Sequence, residues 1–169
     1  MYAFLFFIIV PLIISNVLHM VVVKKNWFAF FTVPVSQSLF GKNKTWRGFI
    51  IVPVLNGLML LTACLIQPFL LPADAFLTGY ILGFAYTLFE LPNSFLKRRL
   101  GIAPGGEAQK YRLFFMLLDK TDSSFGVSLA SYFLLELSLT HTLLLFGISI
   151  LTHIFFSWIL VLVRVKKSF

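Results

Sequence analysis

The sequence predicts an all-α integral membrane protein with about five transmembrane helices. Of its 169 residues, 59% are hydrophobic and only 12% are charged, and the mean hydropathy is +0.94. Apolar runs of about 20 residues, the length that a helix needs to cross a bilayer, recur along the chain. Segments of alternating polarity, which are typical of a closed barrel, do not. We therefore expect one domain, residues 1–169, folded as a helical bundle in a membrane.

Five apolar segments define the predicted helices. They cover residues 2–23, 50–71, 75–89, 125–139 and 143–163. The first segment ends at Lys24 and Lys25 and lacks the basic start and small-residue cleavage site of a signal peptide, so we expect a retained helix. In the third, Gly79 and Gly83 have the spacing that lets two helices approach closely. The fourth has a second interpretation, in which it begins at Leu113 as an interfacial helix.

All the basic residues lie on one side of this predicted arrangement. If the helices alternate in direction, residues 24–48, 90–124 and 164–169 face one compartment, and they contain all 14 lysines and arginines. The positive-inside rule then places the amino terminus outside and the carboxyl terminus in the cytoplasm. We predict a multi-pass protein of the cell membrane with its functional site on the cytoplasmic face, formed by two cytoplasmic loops.

Both long cytoplasmic loops combine basic side chains with glycine. In the first, Lys42, Lys44 and Arg47 lie within the sequence GKNKTWRG at residues 41–48. The second contains Lys97, Arg98, Arg99, Gly101, Pro104, Gly105 and Gly106. Arginine offers a planar fork, lysine a point charge, and glycine lets backbone N–H groups approach a ligand. This combination is typical of polyphosphate binding.

Three carboxylates of the second loop are candidate ligands for Mg²⁺, which prefers hard oxygen donors. Asp119 and Asp122 are three residues apart and would share one face of a helix. Glu90, at the end of the third predicted helix, is the third candidate. The alternative is that these acids only form ion pairs with Lys120 and with the basic residues 97–99, and the spacing of the two aspartates does not decide between the two interpretations.

Three motifs follow one another along the chain and carry a family resemblance. They are Lys-Thr-Trp-Arg-Gly at residues 44–48, Ser-Phe-Leu-Lys-Arg-Arg-Leu-Gly at residues 94–101 with Pro104 and Gly105 after it, and Asp-Lys-Thr-Asp at residues 119–122. Their order and spacing resemble the CDP-archaeol synthase family, membrane CTP:lipid-phosphate cytidylyltransferases related to CDP-diacylglycerol synthases. That family has five helices. This chain differs in reading Phe89-Glu90 where the family has Gly-Asp, and Lys120 where it has glutamine.

The resemblance implies transfer of CMP from CTP to a membrane lipid phosphate, either an archaeol-type phosphate or phosphatidic acid. The products would be pyrophosphate and a CDP-lipid for phospholipid biosynthesis. Mg²⁺ would be held by Asp119 and Asp122 with Glu90, and the partners would be CTP, the lipid phosphate and the bilayer, without nucleic acid. The implied catalytic residues are Lys44, Arg47, Lys97, Asp119 and Asp122, and the implied substrate-binding residues are Lys42, Thr45, Asn93, Ser94, Arg98, Arg99, Pro104 and Gly105.

Within that implied chemistry, the basic residues 97–99 would hold the triphosphate. Lys44 and Arg47 would suit the lipid phosphate or the α-phosphate, and the sequence does not separate the two. The alternative class is a small channel, transporter or structural membrane protein. Apart from small polar residues such as Asn16 and Asn56, the predicted helix centres are apolar, which favours chemistry at the interface.

Overall fold

A computed structural model describes residues 2–67, 74–106 and 111–162, and within these ranges every regular element is helical. Six α-helices and one short 3₁₀-helix follow in order. They are α1 (Tyr2–Lys24), the 3₁₀-helix (Ala29–Phe31), α2 (Gln37–Phe40), α3 (Trp46–Ile66), α4 (Ala75–Arg99), α5 (Arg112–Leu134) and α6 (Leu139–Leu162). The prediction of an all-α protein is confirmed.

Four of these helices are long and apolar enough to cross a membrane. The segments are Leu5–Lys24, Trp46–Ile66, Ala75–Arg99 and Leu139–Ile159. They correspond to the first, second, third and fifth predicted helices. Residues 125–134 of the fourth predicted helix lie within α5, whose first half carries four charged residues, Arg112, Asp119, Lys120 and Asp122. Residues 135–138 are not helical, and Leu139 begins α6. The count of five spans stays a prediction, and the predicted residues 68–71, the end of the fifth helix at Val163 and the basic tail 164–169 lie outside the described ranges.

The prediction of a loop over residues 90–124 was wrong for residues 90–99, whereas the second interpretation, a helix that begins at Leu113, agrees with α5. α4 continues from the apolar segment to Arg99, and α5 begins at Arg112. The basic residues in the last turn of α4 favour this extension because they face the negative end of the helix dipole. The helix ends at Arg99, Gly101 follows its C-cap residue with a φ of 71°, and Ile102 N donates to Lys97 O at 3.0 Å. Glycine in this left-handed conformation is a common helix terminator.

Close packing of α3 on α4 fixes the position of the long α4 helix. A Cβ atom on Gly79 would lie 2.7 Å from the backbone oxygen of Asn56, and one on Gly83 would lie 2.8 Å from Pro53 Cα. Asn56 Nδ2 also donates a hydrogen bond to Gly79 O at 2.6 Å. The expected close approach at the two glycines is confirmed. It holds α4 against the helix that follows the first basic loop.

An apolar cluster joins α4 to α1, α5 and α6. Its buried members are Leu5, Ile8, Ile9 and Leu12 from α1, Leu82 from α4, Val127 from α5 and Leu145 from α6. On the same side of α4, Phe89 covers Gly126 of α5, where an added Cβ would come within 2.5 Å of the Phe89 ring. α5 therefore lies directly beside α4, and the polar ends of the two helices face each other.

Candidate active site

Asn93 and two aspartates form the centre of the candidate site. Asn93 lies in the carboxyl-terminal part of α4, and Asp119 and Asp122 lie one turn apart on α5. Asn93 Nδ2 donates to Asp119 Oδ1 at 2.6 Å and to Asp122 Oδ2 at 2.9 Å. Asn93 is only 5% exposed, and its Oδ1 accepts no hydrogen bond from the described part of the chain. Both carboxylates thus face the same amide nitrogen.

Lys97 completes the polar surface on the side of Asp119. It lies one turn after Asn93 on α4, and its Nζ is 2.5 and 2.6 Å from the two carboxylate oxygens of Asp119. The ammonium also lies 5.7 Å from the centre of the Phe115 ring. The Lys97 side chain is mostly buried, whereas that of Asp119 is 44% exposed. Asp119 is therefore accessible to a ligand and already neutralised on one side.

Asp122 is the more buried of the two aspartates. It lies outside the four helical segments that could cross a membrane. Burial and, to a smaller extent, the negative charge of Glu90 raise the pKa of its carboxyl from 3.8 to about 6. Hydrogen bonds from Asn93 and from the backbone N–H of Ser123, the latter at 2.6 Å, act in the opposite direction. The ionised carboxylate is thus held in an environment that favours its protonation or neutralisation.

Glu90 pairs with Lys44. Lys44 lies just before α3, where its backbone O accepts a hydrogen bond from Val35 N at 2.9 Å, and its Nζ contacts Glu90 Oε2. Among the described residues, no three histidine, cysteine, aspartate or glutamate side chains are grouped closely enough to hold a metal ion. The structure therefore does not bring Glu90 to Asp119 and Asp122 as a third metal ligand.

The three basic residues at the end of α4 point in different directions. Lys97 reaches Asp119, whereas the Arg99 guanidinium lies 5.0 Å from the centre of the Phe95 ring and is exposed. Arg98 packs beneath the first basic loop, since its Cδ is 3.4 Å from the position of a Cβ on Gly41. Of the expected triphosphate-binding triplet, only Lys97 lies at the aspartate cluster.

Arg47 is buried at the start of α3, away from the aspartates. Its Nη1 donates at 3.3 Å to both Asn26 Oδ1 and the backbone oxygen of Trp27. Asn26 and Phe28 have positive φ angles of 53° and 54°, so Arg47 holds the strained turn that follows α1. Its Nε is buried and has no hydrogen-bond partner in the described ranges.

The remaining predicted residues lie around this centre. Ser94 Oγ donates to Glu90 O at 2.9 Å. Pro104 packs on Gly41, where an added Cβ would lie 3.0 Å from Pro104 Cγ, and a Cβ on Gly105 would lie 3.4 Å from Asn43 Nδ2. The segment after α4 thus touches the first basic loop. The structure brings the two motif regions together, although Pro104 and Gly105 line neither of the two cavities described next.

Two cavities adjoin the cluster. The first, about 300 Å³, lies among α1, α4, α5 and α6, and its polar lining includes Lys44, Glu90, Asn93, Ser94, Asp119 and Asp122. The second, about 400 Å³, is lined by α1, α3, α4 and the first basic loop, including Lys42, Thr45 and Arg47.

Four side chains line both cavities. They are Asn16, Lys44, Tyr86 and Glu90, and we name them the shared wall. Asn16 Nδ2 donates to the Tyr86 hydroxyl at 3.0 Å, beside the Lys44–Glu90 pair. Asn16 and Tyr86 were not predicted as site residues from the sequence. The one available signal was the spacing of Tyr86 and Glu90, four residues apart and hence on one face of a helix.

Comparisons with protein-family models, with curated proteins and with solved structures find no match for this chain. The chemistry of the site therefore follows from its own side chains. These are two carboxylates joined by a buried amide, one lysine on them, and a second lysine paired with a glutamate at the junction of two cavities.

Proposed function

We propose that the protein is a Mg²⁺-dependent CTP:lipid-phosphate cytidylyltransferase. The observation that carries this proposal is the convergence of Asp119 and Asp122 on Asn93, with Lys97 beside them. Two carboxylates fit Mg²⁺, which takes one or two carboxylates together with water and phosphate oxygens. Rotation of the Asn93 amide would add its buried oxygen to these ligands. The resemblance of the three motifs supplies the substrate class.

The proposed reaction is a single displacement at phosphorus. An oxygen of the lipid phosphate would bond to the α-phosphorus of CTP, the bond from that phosphorus to the bridging oxygen of the β-phosphate would break, and its electron pair would leave with pyrophosphate. The lipid phosphate is already an anionic nucleophile. Positioning and charge neutralisation are therefore what the protein has to supply.

The side chains of the site would have different roles in this reaction. Asp119, Asp122 and Asn93 would hold Mg²⁺, which supplies charge neutralisation at the phosphates and the leaving group. Lys97, mostly buried beside Asp119, would contact the triphosphate. Lys44 and Arg47 line the neighbouring cavity, which suits the lipid phosphate. The shared wall would lie between the two substrates.

The proposed placement in the membrane follows from charge. With the amino terminus outside and five spans, the fourth predicted span, residues 125–139, would carry the chain from the cytoplasmic to the outer face. The aspartate cluster, Lys44 and Lys97 would then lie on the cytoplasmic face of the cell membrane, beside the basic loops. A water-soluble nucleotide could reach the site from the cytoplasm and a lipid from the bilayer.

Transport is the second candidate function, and one observation favours it. The first cavity continues past Asn16 and Tyr86 to Ser149, Thr152, His153 and Ser157 of α6, all within helical segments that could cross a membrane. Polar residues at such depths often line substrate pathways. Transport would require movement of a solute without cleavage of CTP.

Pyrophosphate release tests the proposed function. The purified protein in detergent is given CTP and Mg²⁺ with either an archaeol-type phosphate or phosphatidic acid. We expect release that requires both lipid and Mg²⁺ and that falls by about 100-fold or more in Asp119→Asn, because the developing charge loses its counter-ion. Glu136→Gln removes an exposed acid far from the site and serves as the matched control. No release with either lipid would contradict the proposed transferase activity and leave transport as the better supported hypothesis.

A further inference from the structure

The pairing of Lys44 with Glu90 suggests a role for Glu90 other than metal binding. The two side chains are 25% and 28% exposed, so the pair is only partly shielded from water. Both residues belong to the shared wall, and Lys44 lies where the two cavities meet. Partly exposed ion pairs contribute little to stability, and an incoming anion of higher charge can replace the carboxylate.

The second cavity has an excess of positive charge. Lys42, Lys44 and Arg47 line it, and Glu90 is its one acidic lining residue in the described ranges. Arg47 is 7% exposed, its hydrogen-bond acceptors Asn26 Oδ1 and Trp27 O are neutral oxygens, and its Nε has no partner in the described part of the chain. A buried cation without a counter-ion is costly. An anion in this cavity would therefore be favoured by Arg47 and, once Glu90 moves, by Lys44.

We propose that Glu90 is an internal competitor that occupies Lys44 in the free protein, and that a phosphate dianion binding in the second cavity displaces it. The dianion carries more charge than a carboxylate and offers three acceptor oxygens. Lys44 then turns toward the phosphate, Glu90 leaves the shared wall, and the two cavities become continuous. This inference deepens the proposed function, on which its choice of phosphate rests, and it removes Glu90 from the metal ligands.

The cavity size fits a phosphate with a group attached. Its volume of about 400 Å³ lies within the usual range for ligand sites. The ligand chemistry is a phosphate dianion, and it has two sources, a lipid headgroup or free phosphate. Separate titrations with inorganic phosphate and with phosphatidic acid in mixed micelles distinguish these sources, and micelles of phosphatidylcholine control for binding to the lipid surface alone.

Phosphate affinity of a Glu90 variant tests the proposal. Binding is measured by calorimetry on the full chain in detergent with EDTA, so that no Mg²⁺ contributes. We expect Glu90→Gln to bind inorganic phosphate or phosphatidic acid about tenfold more tightly than the wild type, because the competitor is gone. Lys44→Gln should weaken binding and abolish the gain in the double variant. Glu136→Gln removes the same charge at a distance and should leave the affinity unchanged.

Several results would contradict the competitor role of Glu90. Unchanged or weaker phosphate binding in Glu90→Gln would overturn the proposal, and a loss of Mg²⁺ affinity in a separate titration without EDTA would identify Glu90 as a metal ligand. If Glu90→Gln is unstable, Glu90→Asp shortens the reach to Lys44 and should give part of the gain. Failure of CMP transfer with intact phosphate results would contradict the proposed function and leave the competitor role standing.

Discussion

Asn93 Nδ2 keeps together two carboxylates that would otherwise repel each other. The amide has two N–H donors, and Asp119 and Asp122 each accept a hydrogen bond from its nitrogen. A cation between the aspartates would replace this donor, and rotation of the amide would then present the buried oxygen to the cation. The arrangement holds the carboxylates near each other without a ligand and leaves them able to accept one.

The buried position of Asp122 predicts a pH-dependent stability. Its pKa is raised to about 6, so the folded protein binds more protons than the unfolded chain between about pH 4 and 6. Stability therefore falls as the pH rises through this window. We expect Asp122→Asn to be more stable than the wild type above pH 6 in EDTA, by at most about 3 kcal/mol, since each pKa unit corresponds to about 1.4 kcal/mol.

Thermal unfolding in detergent at pH 4 and pH 8 measures this effect. The difference between Asp122→Asn and the wild type should be small at pH 4, where the aspartic acid is protonated, and larger at pH 8. Glu136→Gln removes an exposed carboxylate and should show no such change. Equal differences at both pH values would contradict the raised pKa of Asp122.

At the scale of helices, the packing of α3 on α4 depends on the absence of side chains. A Cβ on Gly79 would meet backbone atoms of Asn56 and Gly57 at 2.7 and 2.8 Å, and these cannot move aside as a side chain can. Because α4 carries Glu90, Asn93 and Lys97, a shift of this helix also moves the site.

Alanine substitution of two glycines tests this packing. Gly79→Ala should destabilise the protein by about 1–3 kcal/mol, the usual cost of overpacking. Gly147 of α6 is the matched control, because an added Cβ there meets no atom within 4 Å. Gly147→Ala should be neutral or stabilise by up to about 1 kcal/mol, since alanine favours helix. Equal unfolding temperatures for the two variants would contradict the close approach.

The apolar helices could be located from the sequence, whereas their ends could be located less well. Apolar runs located the four candidate spans, but the charges from Glu90 to Arg99 led to the prediction of a loop. A helix tolerates charged residues where one face packs on a neighbour, and Asn93 and Lys97 face α5. The stop signal was present at Gly101. Whether a helix extends as far as this glycine depends on the contact between α4 and α5, which the sequence does not show.

At the scale of the whole molecule, the site depends on residues far apart in the chain. Asn93 and Asp119 were singled out from motifs, and the structure brings them together. Asn16 and Tyr86, 70 positions apart, belong to no motif, and their hydrogen bond arises only because α1 and α4 both border the first cavity. Arg98 and Arg99 matched a motif, but helix geometry turns them away from Lys97.

The distribution of basic residues predicts how the molecule sits in a membrane. Labelling of single cysteines by an impermeant maleimide on intact cells tests it, in a background where Cys64 is replaced by serine. We expect Asp74→Cys, before α4, to react from outside, and Lys24→Cys, at the end of α1, to react only after permeabilisation. Both native residues are exposed, so access is governed by the membrane. The reverse pattern would invert the proposed orientation and move the aspartate cluster to the outer face.

The shared wall also has a kinetic consequence. The interactions that hold it, Lys44 with Glu90 and Asn16 with Tyr86, join side chains and not helices. Exposed side chains rotate in picoseconds to nanoseconds, and partly buried ones such as these rotate more slowly, whereas helix displacement takes microseconds or longer. Removal of the wall would therefore be far faster than a typical turnover of about 1–1,000 per second. In the proposed reaction, passage between the two cavities would then not limit the rate, and bond formation or product departure would be the slow event.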